Sequence, residues 1–209
     1  MKNKNGCWPD TTEIMTFEDG DPDENPWVFG QPKTEGILIE PYCTEWVGLF
    51  EAQKGSIEKA LAGVALAIEH VGSTAVPGLA AKPVIDIDVI VDDPDHESSY
   101  VPALTQLGYT LTVRECSWYQ HRMLRLEYPR VNVHVFGPNC PEHIRHKLFR
   151  DWLREHSDDR KRYADAKLLA KKAVSTAHDY NKSKQQVVRE IYRKIFESCG
   201  WGAVRVKRA

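Results

Sequence analysis

The sequence predicts a mixed α/β core followed by a C-terminal helical bundle, and three observations carry that expectation. Short apolar runs of strand character at residues 68–71, 83–91, 109–113, 121–128 and 131–136 are separated by turn residues and helical stripes. From Pro141 onward the apolar residues recur at three- and four-residue spacing and strand signals cease. A chain of 209 residues, 42% of them hydrophobic, is large enough for one buried core and short for two full domains.

Residues 1–34 are rich in Pro, Gly, Asn, Asp and Glu and show no sustained period, so a flexible acidic extension is expected, with Trp8, Trp27, Val28 and Phe29 as isolated anchors. Residues 35–200 form the expected domain, divided into a core at 35–138 and helices at 139–200, and 201–209 read as a basic tail. Residues 37–42 read as a short strand stopped by Pro41. A helix is expected over residues 44–66, where Trp46, Leu49, Phe50, Ile57 and Leu61 lie near one stripe. The first core strand ends at Val71, Val76-Pro77-Gly78 is a turn, and Pro83 opens the next strand where its missing N–H is tolerable. Tyr100, Val101, Leu104 and Leu107 form a helical stripe closed by Gly108, and a hairpin turns at Pro129-Arg130. Pro141 with Glu142 starts the first C-terminal helix; the second is expected over 157–177 and the third over 182–199, with Gly200 as its cap.

Chemistry concentrates in HVGSTAVPGLAAKPVIDIDVIV, residues 70–91. Successive strand side chains point to opposite faces, so Asp86 and Asp88 share one face while Ile85, Ile87, Val89 and Val91 fill the other. Their Cα atoms are expected roughly 6.6 Å apart, which lets both carboxylates converge on one hard cation or on two close ones. The plainer alternative is a carboxylate pair solvated at the strand end or paired with Lys82 or an arginine. Gly72-Ser73-Thr74 permits close backbone approach and supplies N–H and hydroxyl donors for phosphate oxygens. This is not a Walker A loop, because Lys82 is followed by Pro83 and then by a strand.

A Gly-Ser turn followed by a strand with two aspartates resembles the core motif of the nucleotidyltransferase fold, and the string HVGSTAVPGLAAKPVIDIDV resembles the signature of the GrpB family within that superfamily. Glu40-Pro41-Tyr42 with Trp46, the run Phe149-Arg150-Asp151-Trp152-Leu153-Arg154, Tyr163 with Lys167, and Tyr180 with Lys184 extend the likeness over about residues 39–196. The resemblance implies a nucleotidyltransferase-like mixed sheet with flanking helices. It further implies Mg2+ or Mn2+ held by Asp86 and Asp88, and a nucleoside triphosphate whose phosphates meet Gly72, Ser73 and Thr74, with Lys82, Arg122, Arg150, Lys167 and Lys184 as basic partners. The acceptor is an unidentified small molecule or RNA. Nucleotidyltransferases place a third acid on a later strand, where this chain has VNVHVF and offers His134, read as a proton shuttle, a phosphate partner or a satisfied core histidine. Glu127 replaces the missing acid only if the hairpin register turns it inward. Two functions therefore stand: nucleotidyl transfer, or a degenerate member of the fold that binds nucleotide or RNA, or works on another small molecule, without transfer.

Composition sets outer limits. No apolar run is long enough for a membrane span and the N-terminus lacks a signal-like apolar core, so a cytoplasmic protein without membrane partners is expected. The five cysteines are odd in number and scattered without a C-x-x-C pair, so free thiols are expected. The net charge of −2 conceals segregation: residues 142–209 carry 18 basic and 9 acidic side chains, a net of +9, against −11 for the rest. That pattern suits either a solvated helical face or a basic lobe closing over a polyphosphate or RNA.

Overall fold

The computed structural model describes residues 10–31, 36, 38–173 and 177–202. Five strands, β1 (Ala65–Val71), β2 (Ile85–Val91), β3 (Thr110–Glu115), β4 (His121–Leu126) and β5 (Val131–Phe136), form one mixed sheet in the order β1-β2-β5-β4-β3. Only β2 and β5 pair in parallel; β1 and β2, β4 and β5, and β3 and β4 are antiparallel. The parallel pair lies at the centre, and β2 is buried along nearly its whole length, as its continuous apolar run requires.

The sheet's two faces differ in chemistry. Ile85, Ile87, Val89, Leu124, Val133 and Val135 meet Trp46, Phe50 and Ile57 of α2 (Glu45–Ala60) and Leu61 just beyond its end, together with Tyr100 and Leu104 at α3 (Val101–Gln106). Each such fully buried large side chain contributes about 1.5–3 kcal/mol. The opposite face carries rows of polar residues: Asp86 lies beside Asn132 and Asp88 lies between Glu69 and His134. Helix α4 (Pro141–Glu155) crosses over this face, and α5 (Ser157–Ala173) and α6 (Ala177–Ser198) pack beyond it.

Several boundaries differ from expectation. The helix of residues 44–66 ends at Ala60, and the chain then turns at Gly63, with φ +79°, leaving Ala65 and Leu66 to begin β1. Of the strand expected over residues 37–42, Ile37 lies outside the described residues, and Glu40 pairs with Ala81 as an isolated bridge. Cys43, Cys116, Cys140 and Cys199 are free thiols, while Cys7 is outside the described residues. Among the described residues no helix is long and apolar enough to cross a membrane.

Residues 10–31, expected as part of a flexible extension, are docked as a strap. Asp10 caps a short helix, α1 (Thr11–Met15), by accepting from the Thr12 N–H at 2.8 Å. Ile14 is fully buried among Ile144, Tyr192 and Phe196, and Phe17 meets the Tyr192 ring edge-on at 5.2 Å. Arg145 donates to the carbonyls of Glu13, Ile14 and Thr16 at 2.9–3.2 Å. Farther on, Val28 N–H bonds Thr112 O and Arg114 N–H bonds Pro26 O, covering the free edge of β3. Of the anchors expected from sequence, Trp27 bridges to Val113 and Val28 packs on the core, Phe29 is exposed and Trp8 lies outside the described residues; Ile14 and Phe17 stand singly, so no period announced them.

Candidate functional site

The polar face of β2 is organised around Gly72. Its φ of +70° and ψ of −171° belong to a region open essentially to glycine alone. A Cβ there would lie 2.5 Å from Asp86 Oδ2, so the missing side chain is what lets the Asp86 carboxylate rest on the turn. Asp86 also accepts from Asn132 Nδ2 at 3.0 Å, and its side chain remains 29% exposed. Asp88, one step along the same face, is fully buried. Its carboxylate meets His143 Nδ1 at 2.8 Å and His146 Nδ1 at 3.0 Å, both from α4.

This pairing settles a buried charge. Burial opposes ionisation of Asp88, yet the charge on His146 and the hydrogen bonds from both imidazoles hold its carboxyl well below the usual range. Burial likewise opposes the charge on His146, but Asp88 and Glu142 hold its pKa well above the ordinary histidine value. His146 Nε2 lies 3.4 Å from Glu142, which is itself paired with Arg145. On β5, His134 Nε2 is 3.8 Å from Asp86 Oδ1, too long for a hydrogen bond, and its Nδ1 meets His121 Nε2 at 3.0 Å. His121 Nδ1 in turn meets Glu115 at 2.6 Å.

The turn that follows Gly72 is tied on two sides. Thr74 donates to Val84 O at 3.0 Å, so the His70 Nε2–H, at 3.1 Å, donates to the threonine hydroxyl. Burial between Phe50 and the turn pushes the His70 pKa down to about 4. From α5, Lys167 Nζ donates to Ser73 Oγ at 3.1 Å and to Ala80 O at 2.5 Å. Burial, with the charge of Lys184 adding, lowers the Lys167 pKa to about 7.

The sequence model of the GrpB family, described as GrpB protein, matches residues 36–194. The chain belongs to the GrpB family. A UPF0157 protein of Halalkalibacterium halodurans is 40% identical over 165 residues, 78% of this chain and 85% of that protein. The glutamate-rich protein GrpB of Alkalihalophilus pseudofirmus is 30% identical over 80% of this chain and 100% of its own length. The crystal structure of conserved protein GrpB from Enterococcus faecalis matches with a TM-score of 0.67 at 28% identity, covering 79% of this chain and 100% of that one. The docked strap of residues 10–31 precedes the segment matched by the GrpB model.

Within this GrpB fold the expected site residues are distributed unevenly. Asp86, Asp88, His134, Gly72, Ser73 and Lys167 gather around one face and its turn. Thr74 is beside them, but its hydroxyl is already engaged internally. Arg150 reaches the same end of the sheet, clamped to Glu69 at 3.0 Å and to His70 O at 2.8 Å. Lys184 sits over the Tyr163 ring at 5.9 Å, near Lys167, and Lys82 is half-buried ahead of β2. Arg122 is not brought to the site: pairing with Val135 turns it to the other face, where it bonds Asp95 and Glu97 at 2.7 and 2.6 Å. Glu127 stays exposed in the hairpin turn, paired with Arg130 at 2.7 Å, so it does not supply the third acid.

Sequence reasoning missed His143, His146 and Glu115, and gave Asn132 and His121 no role in the site. The first two carry a readable signal, since histidines at i and i+3 on a helix lie on one face. Asn132 and His134 alternate on one strand as Asp86 and Asp88 do. Glu115 and His121 gave no local pattern, because a turn separates them and pairing of β3 with β4 brings them together.

Proposed function

We propose that this GrpB protein is a divalent-metal-dependent nucleotidyltransferase that moves a nucleoside monophosphate from a nucleoside triphosphate to an acceptor. The observation that carries the reading is the seating of Asp86 on Gly72, on the face it shares with Asp88, with Lys167 fastened to Ser73 of the same turn.

The donor chemistry fits one hard ion rather than two. Among the described residues no three His, Cys, Asp or Glu side chains form a ready cage, so water would have to complete the shell of an ion held by Asp86 and Asp88. Asp86 is accessible, Asp88 Oδ1 has only a 3.2 Å contact to His146, and Asn132 Oδ1 beside them is buried without a hydrogen-bond partner. Such an orphan acceptor is what a bound ion or its water would satisfy. Asp86 and Asp88 would hold the ion, whose chemistry is to neutralise charge on the reacting phosphate.

The chain's own groups would do the rest. Gly72 lets phosphate oxygens approach the backbone, Ser73 offers a hydroxyl, and Lys167 supplies positive charge where negative charge gathers. Arg150 and Arg154 hold the turn's flanks, Arg154 through Ala75 O at 2.8 Å, so these donors stay placed. A second reading, nucleotide binding without transfer, is favoured by His134 standing where a third acid is expected and by His146 already neutralising Asp88.

The test incubates the protein with α-labelled triphosphates, magnesium and a cell extract as acceptor pool. Pyrophosphate release and a labelled adduct are expected from the wild type and from neither reaction with Asp86→Ala. Tight nucleotide binding with neither product assigns the binding function instead.

A further inference from the structure

The Glu115, His121 and His134 side chains form a linear array that neither the family likeness nor the aspartate pair explains. Glu115 Oε2 lies 2.6 Å from His121 Nδ1, and His121 Nε2 lies 3.0 Å from His134 Nδ1. A carboxylate only accepts, so the proton between Glu115 and His121 resides on His121 Nδ1. In a neutral imidazole the other nitrogen is then an acceptor, and burial of His121, which is 4% exposed, disfavours its charged form more than the Glu115 hydrogen bond favours it. His121 Nε2 therefore accepts from His134 Nδ1–H, and the lone pair of His134 is left on Nε2. That nitrogen lies 3.8 Å from the Asp86 carboxylate, on a side chain that is partly exposed. Ring packing holds the arrangement: His121 stacks on Phe136 at 4.8 Å and meets the Trp118 edge at 5.4 Å.

We propose that Glu115 and His121 are positioning residues that fix His134 in the Nδ1-protonated tautomer, so that its Nε2 accepts the proton of an attacking hydroxyl, which makes the acceptor substrate an alcohol. This rests on the transferase reading and names its substrate class. A phosphate or carboxylate acceptor arrives already ionised and has no use for such a group, whereas an alcohol must lose its proton as it attacks. In the step, the acceptor oxygen bonds to the α-phosphorus, the bond from that phosphorus to the oxygen bridging to the β-phosphate breaks, and pyrophosphate leaves. The hydroxyl proton passes to His134 Nε2. The resulting imidazolium donates its Nδ1–H to His121, whose own Nδ1–H donates to Glu115, so the developing charge is stabilised from a carboxylate two side chains away. The third acid of related sites is thereby replaced by a base of a different kind on the same strand.

The test uses the full chain labelled with 15N-histidine, with His134→Gln to assign the resonances, and reads tautomers from long-range proton–nitrogen correlations. The wild type is expected to show His134 protonated on Nδ1, and His121→Phe, which keeps the stacked ring and removes the acceptor, to shift His134 to the Nε2-protonated form. His134 protonated on Nε2 in the wild type overturns the positioning role whatever the activity. Because Glu115 lies at the surface end of the array, Glu115→Gln leaves folding intact and is expected to lower kcat about tenfold with KM for the triphosphate unchanged. An unchanged kcat also overturns that role. With α-labelled ATP, magnesium, and panels of neutral polyols and sugars against carboxylic acids and inorganic phosphate, label is expected on the hydroxyl compounds. Label confined to the ionised compounds overturns the acceptor class. Absence of transfer from the wild type to any acceptor overturns the transferase reading and the acceptor class together, while the tautomer measurement still decides the role of Glu115 and His121.

Discussion

Gly72 shows how one backbone position sets the place of a carboxylate on another strand. Gly72→Ala meets both a left-handed φ and the Asp86 carboxylate at 2.5 Å, so it is expected to destabilise the protein by about 1–3 kcal/mol in urea unfolding. If Asp86 holds an ion as proposed, the same substitution is expected to remove any thermal stabilisation by magnesium with nucleotide, because Asp86 must leave its seat. A Tm and ligand response equal to the wild type would show that the turn adapts without consequence. At this scale the alternation of Asp86 and Asp88 was readable directly, since period two is a property of any strand. The partners of Asp88 were not. His143 and His146 belong to a helix whose angle across the sheet is fixed by tertiary packing, and Thr74 looks like a phosphate donor until its bond to Val84 O is seen.

Among the elements, the strap of residues 10–31 joins the body by a few deep contacts rather than by a repeated pattern. Truncating its central anchor with Ile14→Ala is expected to lower stability by about 2–4 kcal/mol, read as a fall in Tm. A change within about 0.5 kcal/mol would show that the strap contributes nothing to the fold. The strands and α4 were readable because each buries a regular face, and β2 reads as a continuous apolar run because it is buried on both. The early end of α2 was not, because Leu61 continues the helical stripe in sequence while packing from the turn that follows. The docking of the strap was hidden for a related reason: acidic, proline-rich composition describes its solvent side, and Arg145 buried beneath it is far away in sequence.

For the whole molecule, the segregation of charge between the first 141 residues and the last 68 becomes spatial at Lys167, which carries the basic helices to the turn at Ser73. With its pKa lowered to about 7, Lys167 is charged below that pH and neutral above it. Its folded pKa lies below the unfolded value of 10.5, so the native state binds fewer protons than the unfolded chain between about 7 and 10.5 and stability rises with pH across that window. Anion binding has the opposite sign. Affinity for inorganic triphosphate, measured by calorimetry, is expected to rise up to about tenfold as pH falls from about 8 to about 6, following the charged fraction of this lysine. Lys167→Met is expected to flatten that dependence, and a wild-type affinity insensitive to pH would remove Lys167 from the anion site.

The strand order has a consequence for how the protein comes into being. Gly72, in the turn after β1, and Asp86 on β2 are near in sequence, but Asn132 and His134 reach them only through the parallel pairing of β5 with β2, after the chain has travelled through α3, β3 and β4. His143, His146 and Lys167 arrive later still, on α4 and α5. Long loops must close before such contacts reward the chain, so non-local pairings of this kind form slowly. A ribosome that has released only the first four strands has made a chain with both aspartates but without His143 and His146, the imidazoles that meet Asp88. Asp88 gains its imidazole partners only when α4 emerges, so their pairing marks the docking of that helix on the completed sheet.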